Sequence, residues 1–212
     1  MSHVNEVAHP LVRHHLTRLR DRGTAPTEFR YLLRRLSSLL AYEATRDLDV
    51  RSVSIQTPLT DMTGSELDTQ VALVPILRAG LGMVDPILDL IPDAEVWHLG
   101  LYRDEATAQP VSYYNKLPQT QPVDVAFLLD PMLATGGSAG MAITALRNWG
   151  VRTIKLLSVI AARDGIEMVT KQFPETQIFV CQIDPDLNTN KYIVPGLGDA
   201  GDRTFNTLRY LG

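Results

Sequence analysis

The chain reads as an α/β protein built on a parallel sheet, and three observations predict it. Val125–Leu129 is an apolar run short enough for a buried strand; it stops at Asp130-Pro131, and a helical pattern begins behind Ser138. Val71-Ala-Leu-Val-Pro-Ile-Leu77 repeats the scheme, running into a glycine-flanked turn and a helix to about Leu90. A third apolar strand, Val151 to Ala162, leads at Arg163-Asp164-Gly165 into a helix to about Phe173. Buried strands alternating with helices are the mark of a parallel sheet covered by helices.

The remaining elements follow in order. Behind Pro26, Leu32, Leu33, Leu36, Leu39 and Leu40 recur at helical spacing, predicting a long amphipathic helix through about Thr45. The arginines between Arg13 and Arg35 are expected on a solvated helix face; the alternatives are a subunit interface or a site for an anionic effector. His14 and His15 are adjacent, so they cannot share a helix face as metal ligands, and no metal is assigned to them. Arg51 to Pro58 alternates as a half-buried or edge strand, Thr60 to Thr69 reads as a polar loop, and Glu95 to Leu101 as a strand with His98 in a structural role. From Tyr102 to Pro122 the chain turns polar over a length unusual for a connection, so it is a hairpin, a disordered loop or a lid. Gln177 to Ile183 is the last sheet strand.

Composition limits the functions open to this chain. A net charge of −4 gives no basis for non-specific nucleic-acid binding, and no apolar run approaches the ~18 residues of a membrane span. Cys181 is the single cysteine, expected as a buried thiol in a reducing compartment. No signal peptide opens the sequence, so the expectation is a soluble cytoplasmic protein, folded as one domain over residues 1–212.

The chemistry concentrates between the central strand and its helix, in Asp130-Pro-Met-Leu-Ala-Thr-Gly-Gly-Ser138. Glycines allow close backbone approach, Thr135 and Ser138 add hydroxyls, and the free N–H groups of a helix start attract an anion. Asp130 is acceptor-only when ionised, so beside a phosphate it suits sugar hydroxyls or a metal. A phosphate beside vicinal hydroxyls describes a ribose 5-phosphate. No Lys follows Gly136-Gly137, which excludes the nucleoside triphosphate loop. Arg78, the one charge at the second turn, can fork across pyrophosphate oxygens; a surface role is equally open to it. Tyr192-Ile-Val-Pro-Gly-Leu-Gly-Asp-Ala-Gly-Asp-Arg203 contains a literal Gly-x-Gly-x-x-Gly, but no room follows it for the helix, strand and acid of a dinucleotide site. Such a glycine-dense loop can instead offer main-chain N–H, C=O, N–H to a planar base. Uracil presents the complementary acceptor–donor–acceptor edge, whereas cytosine would oppose a lone pair to the carbonyl.

These motifs carry a resemblance. Asp130–Ser138 resembles the phosphoribosyl-pyrophosphate loop of type I phosphoribosyltransferases, whose general members place two acids at the strand end. Pro131 in the second place is the variant of the uracil phosphoribosyltransferases, and Tyr192–Arg203 resembles their uracil-binding loop. The likeness runs from His9-Pro-Leu-Val12 through Tyr42-Glu-Ala-Thr45 and Val74–Met83 to that loop. It departs at Arg163-Asp164, where the family usually shows Pro-Glu before the glycine.

The resemblance implies a type I core flanked by helices, a hairpin lid over about 102–122, a small hood formed by the terminal segments, and a base loop over about 184–206. It implies that 5-phosphoribosyl 1-pyrophosphate is bound by Arg78, Arg103, Asp130, Pro131, Met132, Leu133, Ala134, Thr135, Gly136, Gly137, Ser138 and Asp199. Uracil would meet Ile193, Gly198, Asp199 and Ala200, and UMP would be the product. Asp130, Asp199 and Arg78 would act by electrostatics and positioning. Mg²⁺ would be held through substrate oxygens, with no direct protein ligand. Family members are often dimers or larger assemblies, and several respond to GTP. Two other readings stand beside this one. The first is a phosphoribosyltransferase for another base. The second is a nucleotide-sensing, RNA-binding regulator on the same fold, which would need a basic face with exposed aromatics.

Overall fold

In the computed structural model, which describes residues 3–103, 110–118 and 120–207, the apolar runs lie in the middle of a largely parallel sheet. The first part of the chain forms β1 (Val4–Glu6), α1 (Pro10–Arg20), α2 (Pro26–Ala44), β2 (Val50–Gln56) and β3 (Asp61–Leu67). Next come β4 (Val71–Leu77), a 3-10 turn (Ala79–Met83), α3 (Val84–Leu88), β5 (Glu95–Val96), β6 (Leu99–Arg103) and β7 (Pro110–Asn115). The second half gives β8 (Val125–Leu129), β9 (Met132–Leu133), α4 (Gly137–Trp149), β10 (Thr153–Ala162) and α5 (Arg163–Gln172). It closes with β11 (Gln177–Asp184), β12 (Asp186–Leu187), β13 (Ile193–Val194) and α6 (Ala200–Phe205).

The strand order is β1-β11-β10-β8-β4-β6-β7, parallel except for the antiparallel β6–β7 edge, with β5 beside β4 and β9 beside β10. Every residue of β8 is buried, and each fully buried Val, Leu or Phe contributes roughly 1.5–3 kcal/mol. Alternate residues of β10 feed two cores: Leu157 and Val159 pack with Leu32, Leu36 and Leu40 of α2, and Ile154 and Leu156 with Ile143 and Leu146 of α4. Helices therefore cover both faces. Cys181 is buried in β11, as expected, and burial pushes its thiol pKa upward.

Helix ends follow their local chemistry. Pro10 and Pro26 open α1 and α2 where a missing N–H costs nothing, and the His9 ring caps α1 by accepting from Leu11 N–H at 3.2 Å. Gly150, at φ +105°, closes α4 and donates to the carbonyls of Leu146 and Arg147.

Several expectations need correction. Thr60 to Thr69 is not a loop: Asp61–Leu67 pairs antiparallel with Val50–Gln56 in a hairpin whose residues are mostly exposed, so burial periodicity carried no signal there. The strand expected over Glu95 to Leu101 is broken at Trp97-His98 into β5 and β6. The short β1 and the separate helix α1 were not anticipated. The polar stretch after Tyr102 contains a hairpin strand, β7; residues 104–109 and 119 lie outside the described residues.

The arginine-rich helices are also less free than a solvated face. Arg18 pairs with Glu28, Arg34 reaches Asp85 and Asp89 at 3.2 Å each, and Arg20 is tied to Asp184. Lys155 of β10 is 1% exposed, donating to the Ala44 carbonyl at 2.7 Å and to Asp47 at the end of α2. The C-terminal segment folds back onto α1 and α2, forming the expected hood with the β12–β13 pair. Among the described residues, no helix is long and apolar enough to cross a membrane.

Candidate active site

The cradle forms where β8 ends. Asp130 N–H donates to the Leu157 carbonyl at 3.2 Å, and the Pro131 carbonyl accepts from Val159 and Ile160 at 3.0 and 3.1 Å. These bonds carry the chain from β8 into β9, beside the end of β10. Pro131 and Leu133 are buried and Met132 half-buried, so this part is a floor, while Ala134, Thr135, Gly137 and Ser138 keep surface. Gly136 stands at φ +83° as the N-cap of α4, and its carbonyl accepts from Gly140 N–H at 2.8 Å. No side chain caps the helix, which leaves its first N–H groups for an anion.

The floor is braced from α5. A Cβ on Gly165 would stand 2.5 Å from the Ala134 carbonyl oxygen and 2.9 Å from that of Leu133. The contact is therefore made by the glycine shared with the family pattern. Arg163 and Asp164, which depart from it, are exposed and leave the brace untouched.

The second turn comes alongside. Pro75 of β4 pairs in register with Leu129, and a Cβ on Gly80 would lie 2.4 Å from the Leu129 carbonyl oxygen, so the two turns share one strand-end edge. The Leu77–Arg78 peptide is cis. Arg78 donates to Asp202 Oδ1 at 2.9 Å and keeps more than half its side chain exposed. This ion pair brings the C-terminal loop to the second turn. The Asp202 carboxyl is held below the ordinary range, first by the Thr207 hydroxyl and then by Arg78, with desolvation opposing.

The loop itself follows the cis Val194–Pro195 bond, with Gly196 at φ +63° and Gly198 at φ +80°. Ile193 is buried and Ala200 fully so, whereas Gly198 between them is exposed and Asp199 half-buried. Asp199 caps α6, accepting from Asp202 N–H at 2.8 Å. Arg103 ends β6 opposite Pro110, and its side chain lies outside the described residues.

Carboxyl ends of neighbouring parallel strands, an open helix start and a second turn ion-paired to a glycine loop stand at the edge where open α/β sheets bind their ligands. A family model described as uracil phosphoribosyltransferase matches residues 6–207. The chain belongs to the uracil phosphoribosyltransferase family. A relative named uracil phosphoribosyltransferase, from Roseiflexus sp. (strain RS-1), is 56% identical over 207 residues, covering 98% of this chain and all of its own. A solved protein from Aquifex aeolicus is 35% identical with a TM-score of 0.92, over 98% of this chain and 100% of that one. At 10% identity, a hypoxanthine phosphoribosyltransferase from Trypanosoma cruzi shares the fold alone, with a TM-score of 0.51 over 74% of this chain and 75% of its own.

Within this family site, Asp130 is the group most altered by its surroundings. Part of the residue opens to solvent, yet it sits deep in the fold, and desolvation raises its carboxyl to about 7 against a small opposing effect of the Met132 N–H. The acceptor-only Asp130 expected from the sequence thus holds its proton to near neutrality. Among the described residues, no group of three or more His, Cys, Asp or Glu side chains converges as a metal cage. A separate cleft of about 510 Å³ between β1 and the end of α2, lined by Glu6, Glu43, Arg46 and Asp47 among others, touches neither motif. Sequence reading missed Arg20, Asp184 and Arg203, which hold the loop. The available signals were an acid one residue past the last apolar strand and an Arg two residues after the glycine run.

Proposed function

We propose that the chain transfers the phosphoribosyl group of 5-phosphoribosyl 1-pyrophosphate to uracil, giving UMP and pyrophosphate. The observation that carries this reading is the glycine loop ion-paired to the turn beside the phosphate cradle, in a chain matched to the family over residues 6–207. In this scheme the amides of Ala134 to Ser138 and the Thr135 hydroxyl hold the 5-phosphate, over a floor of Pro131, Met132 and Leu133. Asp130 accepts from the ribose hydroxyls. Arg78 exchanges Asp202 for the departing pyrophosphate, with Arg103 joining it from the hairpin. Main-chain groups of Ile193, Gly198 and Ala200 read the uracil edge, and Asp199 aligns the partners. Substitution at an activated anomeric carbon builds oxocarbenium-like charge, so positioning and electrostatics suffice without a covalent nucleophile.

Mg²⁺ belongs to the scheme: a hard cation would be held through the substrate's own phosphate and pyrophosphate oxygens, with no direct protein ligand, and when bound it would neutralise pyrophosphate charge. The β6–β7 hairpin acts as the lid that keeps water from the cationic sugar. A homo-oligomer is proposed as well. The exposed apolar residues Val50, Ile55, Leu59, Met62 and Leu67 of the β2–β3 hairpin support it, because an isolated two-stranded hairpin is marginal without a partner. Cytoplasmic location and a response to GTP are carried over from the family resemblance. The regulator reading loses its footing, since several arginines it would use are paired with acids of the same chain.

The test is UMP synthesis from uracil, with cytosine and hypoxanthine as competing bases, with and without GTP. UMP formation at least about 100-fold faster than either alternative product is expected. Preference for another base would overturn the assignment.

A further inference from the structure

The C-terminal loop is gripped from the end of α1. Arg20 donates to Asp184 twice, from Nη2 to Oδ1 at 2.6 Å and from Nη1 to Oδ2 at 2.8 Å. The same Nη1 donates to the Gly196 carbonyl at 2.7 Å, and Gly196 N–H donates to Asp184 Oδ2 at 3.0 Å. One ion pair therefore takes both the N–H and the C=O of Gly196. Asp184 is 1% exposed and Arg20 17%, so water competes little for these bonds. At Gly196 a Cβ would stand 2.0 Å from the Ile193 carbonyl oxygen, so the turn being gripped admits no other residue.

A second grip lies just beyond. Buried Arg203 donates to the carbonyls of Leu197 and Leu19 at 2.8 Å each and of Asp21 at 2.6 Å, with its guanidinium 4.5 Å from the Phe29 ring centre. The stretch from Gly196 to Leu197 is thus fastened to α1 on both sides of the glycine turn. Gly198 follows immediately.

We infer that Arg20 and Asp184 are positioning residues for base selection: by holding the Gly196 peptide at both ends, they set where the Gly198–Ala200 main chain stands against the pyrimidine edge. This rests on the base-loop reading proposed above. A buried ion pair adds little net stability compared with an apolar replacement, but it fixes geometry, and an ångström of misplacement at a reacting site costs on the order of 100-fold.

Steady-state kinetics of the full chain carrying Arg20→Lys, Arg20→Gln or Asp184→Asn test the inference. The Gln and Asn variants should raise the KM for uracil by on the order of 10- to 100-fold, leave that for phosphoribosyl pyrophosphate within about threefold, and lower the uracil-to-cytosine ratio of kcat/KM. Arg20→Lys keeps the charge but cannot reach two oxygens and a carbonyl together, so it should fall between wild type and Gln. Should a neutral variant fail to fold, Arg20→Lys decides alone. An unmoved uracil KM, or both KM values rising in parallel as general loosening would cause, overturns the inference. Wild type that makes no UMP overturns the functional reading with it, whereas an active wild type with unmoved variants overturns only this step.

Discussion

Replacing Asp130 by Asn separates what this carboxylate does to the free protein from what it does in the reaction. Burial raises its pKa from 3.8 to about 7. The folded chain therefore binds this proton up to near neutrality, while the unfolded chain releases it near 3.8. Between those values the folded state carries more protons, so the stability linked to protonated Asp130 is fully present below about pH 4 and is lost as pH rises through 7. A difference of about three pH units at 1.36 kcal/mol each sets an upper limit of roughly 4 kcal/mol. Asn keeps an Oδ1 acceptor for the Met132 N–H and has nothing to ionise. Urea unfolding of the two proteins without substrate should show the Asn variant gaining stability over wild type as pH rises from about 4 to 8, by up to about 4 kcal/mol. The same variant should form UMP on the order of 100-fold more slowly at saturating uracil. A stability gap that stays flat across that pH range would refute the burial argument, and unchanged turnover would remove Asp130 from the mechanism.

Gly165→Ala should push its methyl into the Ala134 and Leu133 carbonyls, 2.5 and 2.9 Å away, and displace the cradle floor. A rise of about 10-fold in KM for phosphoribosyl pyrophosphate, with uracil KM little changed, is the expected split, and equal KM values in variant and wild type would count against the brace. Lys155→Met removes a buried ammonium whose partner Asp47 is 57% exposed and can rehydrate, so unfolding free energy should stay within about 1.5 kcal/mol of wild type, with unaltered kinetics. A loss above about 3 kcal/mol would show that the Ala44 carbonyl depends on that donor.

Contiguous features were legible before any coordinates. The strand to Leu129, the open glycine turn and α4 lie within 25 residues of chain, Val125 to Trp149, so apolar periodicity and turn chemistry alone locate the cradle. The β2–β3 hairpin escaped notice because its exposed strands lack the burial contrast that periodicity reads. Arg20 and Asp184 escaped because they stand 164 positions apart, and the sequence gives no reason to pair one arginine among many with one acid.

By itself the sequence determined the buried strands of the sheet and the helices that follow them, the cradle from Asp130 to Ser138 and the glycine loop near the carboxyl end. Local backbone preference and hydrophobic patterning are properties of neighbouring residues. Only the tertiary structure decided that Arg78 meets Asp202, that Gly165 braces Ala134, that Arg20 and Asp184 grip Gly196, and that Asp130 keeps its proton to near pH 7. Desolvation and ion pairing depend on what distant segments bring within a few ångströms, and packing alone sets that distance.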